Sequence, residues 1–521
     1  MNRITEFPFF KGFFLIIVLI HILFIAPVGF DYTDGTYILN LAGLNSNSHN
    51  ALYSDLNYIR PPGSIWLHSI DFIFGDFSLL WSRVFYFIQL AISSLLMTLI
   101  ILKVYQSNLI GTGFLWATAA LVYLLSTFFF PPMAWHTVDG VFLIVLGFYL
   151  YNRGNYIVSS PLILWGILCK QSFYPIIIIF VFIVILSDLG RQAKLKVLFS
   201  LTASFGLFCL VYVAQNRFTP FVYSTFLQTQ SKDLLRAGVW EYFFKLKEPI
   251  NIVMMSMVLP WPFLRYKFRF LAFVSILIYL LIEIILIKNW VVPSFHFGLF
   301  FLSIIFFLFS IIRRKQNNLF FLSVLFFLTL SWCSSISWGY RSPQFAAAPL
   351  ILFFLPTLEI AYIKRQFAII LVFLTATNLL TFKFPYRSGG SYYEHVKNMQ
   401  TAPLGIKNLK GILISNVRKN ELTQIQKLVE LVPTNEPVLF GPSFTAGYLC
   451  FNRFSGQGIT WPIDVELGFG SDSISVKLDR INYSVLKAEK NQYIKCTMCN
   501  MVEKSWNVVS CPGSFCLYSR N

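Results

Sequence analysis

Residues Gly12–Gly35 read GFFLIIVLIHILFIAPVGFDYTDG, and the change of character within this stretch decides the fold. From Gly12 to Phe30 no Asp, Glu, Lys or Arg interrupts the apolar run. At about 1.5 Å per residue such a run is long enough to cross a bilayer as a helix. Arg3 and Lys11 precede it, a charge pattern shared with signal peptides. The run exceeds a signal-peptide core, and no small-residue cleavage site follows, so it reads as an uncleaved first span. Asp31 and Asp34 come directly after it, which sets two carboxylates at a membrane–water boundary.

Outward from this stretch the pattern repeats. Further apolar runs lie at Phe77–Leu102, Ile110–Phe130, Val141–Tyr151, Ile157–Cys169, Ser172–Leu186, Val197–Ala214, Ile250–Leu264, Phe270–Ile287, Phe295–Ile312, Leu319–Cys333, Gln344–Ala361 and Phe367–Phe382. Ile157–Leu186 admits two readings: one tilted helix with Lys170 and Gln171 inside it, or two short helices meeting there. With two helices, Lys103, Arg153, Arg191/Lys194/Lys196, Arg265/Lys267/Arg269, Arg313/Arg314/Lys315 and Lys364/Arg365 all fall on the N-terminal side. Short cytoplasmic loops carry such an excess of Lys and Arg. The chain is therefore expected to be a polytopic α-helical membrane protein of about thirteen transmembrane helices, N-terminus cytoplasmic and C-terminus outside.

Composition agrees. Only 12% of the 521 residues are charged, against about 25% in soluble domains, so a cytosolic enzyme, a fibrous protein and a disordered scaffold are excluded. The net charge of +18 would suggest nucleic acid on a soluble protein. Here it is the sum of basic loops on one membrane face, and no nucleic-acid partner is expected.

Three outer segments exceed turns: 30–76, 215–249 and the tail from 383 to 521. The division is thus a transmembrane domain 1–382, with outer loops 30–76 and 215–249, and a soluble extracytoplasmic domain 383–521. The tail gains turn signals such as PTNEP, GPSFTAG and CPGS between short apolar runs, which suits one small α/β domain. It holds Cys450, Cys496, Cys499, Cys511 and Cys516. The CTMC…CPGSFC spacing fits a zinc knuckle, but outside the cytoplasm disulfides are favoured, and either leaves one cysteine unpaired.

Candidates for chemistry lie at the outer ends of the spans. Asp31 and Asp34 can act as a general base, because partial desolvation raises a carboxylate pKa toward a useful value, or can simply solvate a helix end. Arg60, in YIRPPGSIWL, is presented by two φ-restricted prolines. Its fork suits a phosphate oxyanion, although an interfacial Arg also anchors lipid headgroups. Asp139, in PPMAWHTVDG, brings a further carboxylate to the same layer or caps a helix. His136, just before it, can ligate metal or merely hydrogen-bond. Lys170 at the hairpin tip is costly at membrane depth and so marks function, and Arg341, in SWGYRSPQF, can hold phosphate. The spans themselves are poor in Asp, Glu and Lys, unlike a transporter with polar residues at the bilayer midplane.

An acidic FDYTDG after the first span, then a long outer loop ending in IRPP, resembles the GT-C superfamily of membrane glycosyltransferases. Within it the chain looks most like the aminoarabinose transferase, protein O-mannosyltransferase and RgtA/B/C/D-like group. The resemblance covers residues 1–382 and is strongest over 28–70. It implies a GT-C-like fold and a sugar donor on polyprenyl phosphate, transferred outside the cytoplasm to a lipid, glycan or protein acceptor. By motif, Asp31 or Asp34 takes the acidic position after the first span, Arg60 the basic position before the double proline, and Asp139 the acid of the second outer loop. Loop 215–249 resembles the segment that closes over the lipid carrier. An acid often precedes the basic residue in that branch, where this chain has Ile59, and this departure puts a bound metal in doubt.

The expected activity is an inverting polyprenyl-phosphate-sugar-dependent glycosyltransferase, hexosyl or pentosyl, in a bacterial inner membrane and serving the cell envelope. Asp31, Asp34 and Asp139 are the catalytic candidates, and Arg60, Lys170 and Arg341 the lipid-phosphate ligands. A divalent metal, if used, would have Asp34, Asp139 and His136 as ligands. The alternatives are a lipid-linked oligosaccharide flippase or transporter, and an O-antigen ligase or polymerase.

Overall fold

The computed structural model describes residues 8–47, 51–104, 112–127, 132–227, 238–240, 300, 303–304, 307–308, 318–336, 371–372, 374–376, 399–454, 457–467, 478–487 and 496–520. Arg341, the runs at 250–264, 270–287 and 344–361, most of 295–312 and 367–382, most of loop 215–249, and the domain division at 382/383 lie outside them.

The first span is α1 (Pro8–Ile20), prolonged by one π-helical turn, His21–Ile25. It stops short of the expected Phe30, because Pro27 has no N–H to continue the ladder and Gly29 takes φ 81°. Freed carbonyls at such an end need donors. Arg83 supplies them: its Nη1 donates to the carbonyls of Ala26, Val28 and Gly29 at 3.1, 3.1 and 2.8 Å. A guanidinium there also complements the negative end of the helix dipole.

The first outer segment then forms α2 (Asp34–Asn47), α3 (Gly63–His68) and a 3-10 turn, Ser69–Phe77. Gly75, at φ 53° and ψ −126°, breaks this layer from the span α4 (Ser78–Val104). After it come α5 (Thr112–Thr127), α6 (His136–Asn152), α7 (Tyr156–Ile167), α8 (Tyr174–Leu186), α9 (Arg191–Ala214), the short α10 (Phe218–Val222) and α11 (Asn318–Ser335). The doubtful stretch is two helices: the chain leaves the helix after Ile167, Lys170 is extended, and a 3-10 turn at Gln171–Phe173 starts α8. α6 and α7 touch backbone to backbone, since a Cβ on Gly147 would meet Ser159 O at 2.8 Å. Small residues allow such close approach between membrane helices.

Among the described residues, Gly63–Lys103 and Arg191–Ala214 are helical stretches long and apolar enough to cross a membrane, and five shorter apolar helices accompany them. Ile178, Ile185, Phe199, Leu207 and Leu210 lie exposed on α8 and α9. Helices apolar on their outer faces as well as their inner ones suit a lipid surround and not water. The protein is a polytopic helical membrane protein with a small sheet region near its C-terminus.

In the tail β1 (Met399–Thr401) pairs antiparallel with β2 (Leu413–Ser415). A four-stranded sheet has the order β3-β4-β6-β5, from Val438–Phe440, Tyr483–Lys487, Phe515–Ser519 and Asn507–Ser510, with β3 and β4 parallel and the other pairs antiparallel. Helix α12 (Asn416–Glu430), capped by the Ser415 hydroxyl, buries Leu422, Ile425 and Leu428. Cys496–Cys499 and Cys511–Cys516 are disulfides, so these four are not zinc ligands, and Cys450 is the unpaired, buried cysteine.

The tail is stitched to the first outer segment through its backbone. Leu413 N donates to Pro27 O at 2.7 Å and Gly29 N to Leu413 O at 2.8 Å. Ala446 N donates to Tyr32 O, and Asn57 N to Gly458 O, at 3.0 and 2.9 Å. Tyr32 of FDYTDG lies under the Arg418 guanidinium, 4.1 Å from ring centroid to Cζ.

Candidate active site

The IRPPG turn is fixed from three sides. Tyr53 Oη donates to Arg60 O at 2.8 Å, and Gly63 N donates to Leu168 O at 2.7 Å. Trp165 Nε1 donates to Gly63 O at 2.9 Å, and Gln171 Nε2 donates to Ile59 O. These bonds seat the turn on the α7–α8 connection, and so set Arg60 beside Lys170. The fit depends on Gly63, where a Cβ would stand 2.7 Å from the carbonyl carbon and oxygen of Leu168. Neither neighbour is a side-chain tip able to move aside. Gly63→Ala is therefore expected to destabilise the protein by about 1–3 kcal/mol, as overpacking does. It should also push the IRPPG turn off the α7–α8 connection, read as a lower melting temperature.

The two cations differ in environment. Arg60 is in an ion pair with Glu466: Nη1 donates to Oε2 at 2.6 Å and Nη2 to Oε1. Burial alone would lower its pKa, but the Glu466 carboxylate pushes it above the ordinary value, so Arg60 is charged at every working pH. Lys170 is buried, and among the described residues its Nζ has one hydrogen-bond partner, Thr137 Oγ1 at 3.2 Å, and no carboxylate. Burial first and the nearby Arg60 charge second push its pKa down to about 7.

Asp139, wholly buried at the start of α6, is held by a second polar group. Its Oδ1 accepts from His68 Nε2 at 3.1 Å and from Gln89 Nε2 at 2.9 Å, while His68 Nδ1 meets Asp71 Oδ2 at 2.6 Å. Asp139 Oδ2, His136 Nδ1, Tyr58 Oη and Ser172 Oγ are buried without a hydrogen-bond partner among the described residues. Such orphaned groups are rare in folded chains and call for a ligand or water. The charges of Arg60 and Lys170 both act at His136, and those of Arg60, Glu466 and Asp139 at Tyr58. Lys170 bonds to Thr137 on the first turn of α6, which also bears His136 and Asp139, and the turn that carries Arg60 is held by Gln171 beside it.

Asp31 is engaged differently. Its Oδ2 accepts from Gly35 N at 2.7 Å, and Oδ1 from Thr33 N and Oγ1 at 3.2 and 3.1 Å. It thus caps the start of α2 as an Asp does well. Asp34 opens α2 and is half-buried. No group of three or more His, Cys, Asp or Glu among the described residues is placed to hold a metal ion.

Sequence reasoning passed over Glu466, His68, Asp71, Gln89 and Tyr37. His68 and Asp71 stood three apart in an otherwise apolar stretch, LHSIDF, which is a readable helical pair. Glu466, in PIDVEL, carries no such signal.

No protein-family model matches this chain, and no curated protein sequence does. Solved structures similar to it include the archaeal oligosaccharyltransferase AglB from Archaeoglobus fulgidus, in complex with an inhibitory peptide and a dolichol-phosphate. That similarity has 11% identity and a TM-score of 0.46, over 92% of this chain and 69% of that one. They include also ArnT from Cupriavidus metallidurans in the apo state, at 12% identity and a TM-score of 0.39, and bound to undecaprenyl phosphate, at 12% and 0.40, each over 99% of this chain and 98% of that one. In the motifs of its first outer segment, FDYTDG and IRPP, the chain resembles the GT-C superfamily of membrane glycosyltransferases.

Proposed function

We propose that the protein transfers a sugar, hexosyl or pentosyl, from a polyprenyl-phosphate donor to an acceptor on the outer face of a bacterial inner membrane, inverting the anomeric centre. One observation supports this: Lys170 is a buried amine with no acid beside it among the described residues. Buried charges are ordinarily paired, and an anion with an apolar tail satisfies both the charge and its membrane setting. Lys170 and the outer N–H groups of Arg60 hold the phosphate and stabilise it as the glycosidic bond breaks, an electrostatic term worth about 10²–10³ in rate. Asp34 takes the proton of the acceptor hydroxyl, Asp31 holds the turn that presents it, and the orphaned Asp139 Oδ2 orients the acceptor. Arg341 is a further candidate for the phosphate.

The test is release of carrier phosphate from polyprenyl-phosphate sugars by full-length protein in liposomes, with Asp34→Asn and Asp31→Asn beside wild type. Asp34→Asn should lower turnover by about 10²–10⁴, the usual worth of a general base. Asp31→Asn should cost less, because Asn also caps helices. Failure of the wild type to bind any polyprenyl phosphate would end this reading and leave a carrier of another kind.

A further inference from the structure

The Arg60–Glu466 pair joins residues 406 positions apart, one from the first outer segment and one from the tail. Both terminal nitrogens of the guanidinium engage the carboxylate, Tyr37 Oη adds a bond to Oε2 at 3.1 Å, and the Arg60 Cζ lies 5.7 Å from the Tyr37 ring centroid. Asn57 Nδ2 holds the Glu466 carbonyl at 3.0 Å. Glu466 is itself buried. An acid so placed does two things to its surroundings. It keeps Arg60 from swinging, and it cancels one of the two positive charges that face the polar centre. Among the described residues Lys170 is then the cation of this centre that no carboxylate pairs.

We propose that Glu466 is a positioning residue that the tail contributes to the site: it aims Arg60 and limits the positive charge there, so that the spent carrier phosphate leaves. The inference rests on the phosphate-carrier reading above. A group that merely braced the fold would, when lost, weaken ligand binding. Glu466 acts in the opposite sense, since its carboxylate repels the bound phosphate while fixing Arg60. At the effective dielectric of protein sites, a unit charge a few Å from another changes affinity by about tenfold or more.

The experiment measures equilibrium binding and dissociation of a sugar-free polyprenyl phosphate on full-length protein in nanodiscs. Glu466→Gln should bind about tenfold more tightly, with the gain in slower dissociation, and Glu466→Asp, which restores the charge, should return toward wild type. Should Glu466→Gln fail to fold, Glu466→Met serves instead: it also removes the charge while keeping the length of the side chain, and should tighten binding by a similar factor. Unchanged or weaker binding by these variants, with wild type binding normally, would overturn the role of Glu466 and leave the carrier reading intact. No binding by wild type would overturn both.

Discussion

Replacing Lys170 with Met should lower carrier-phosphate binding and turnover by about 10²–10³ while leaving the fold as stable as before or more so. The two effects point in opposite directions because of where the ammonium sits. It is buried, held by one hydroxyl, and next to another cation. Removing a buried charge that has no acid beside it among the described residues relieves a cost, whereas removing the anchor of a bound anion forfeits its binding. The pH dependence separates the two further. With a native pKa of about 7 against about 10.4 in the unfolded chain, the unfolded state binds more protons between those values. Stability contributed at Lys170 therefore rises with pH from about 7 upward. The melting-temperature gain of Lys170→Met should be largest below pH 7 and fade toward pH 10. A variant that lost both activity and stability would show that Lys170 is structural.

Replacing His68 with Leu should destabilise the protein by about 3–5 kcal/mol, the cost of breaking a buried ion pair from one side. His68 stands in the outer layer before Gly75, between Asp139 and Asp71. Burial alone would lower its pKa, but the Asp139 and Asp71 carboxylates push it up to about 10. At Asp71 the balance runs the other way, and burial raises the carboxyl despite the imidazolium. Because the folded pKa lies above the unfolded one, the stabilisation is whole below about pH 6.5 and is lost as the pH rises through about 10. Thermal unfolding of wild type and His68→Leu should therefore converge in alkali. The Lys170 and His68 effects have opposite pH slopes, so the two variants also check each other.

The membrane class and the residues of the first outer layer are legible in the sequence because both are local. A run such as Gly12–Phe30 has no other stable home, since lipid requires every backbone group to be paired within the helix. The split of 157–186 into two helices follows from a charge rule that needs only the order of loops. The boundary at Ile25, short of Phe30, was less legible, because Arg83, a distant residue, takes up the carbonyls released there. Asp31 could be read as an acid at a boundary, but its use as a cap shows only when Gly35 N is seen to point at it.

The sequence by itself determined the solvent of each segment and the residue types available at the outer face, because hydropathy and charge act residue by residue. Which of those residues meet was decided only by the tertiary structure. The IRPPG turn lies against the α7–α8 connection because Gly63 leaves room for Leu168, and Arg60 reaches Glu466 because backbone bonds clamp the tail onto residues 27–57. Asp139 finds His68 and Gln89, from elements 71 and 50 positions away. Ion pairs in low dielectric depend steeply on distance, and distance between remote positions is a property of the packed chain.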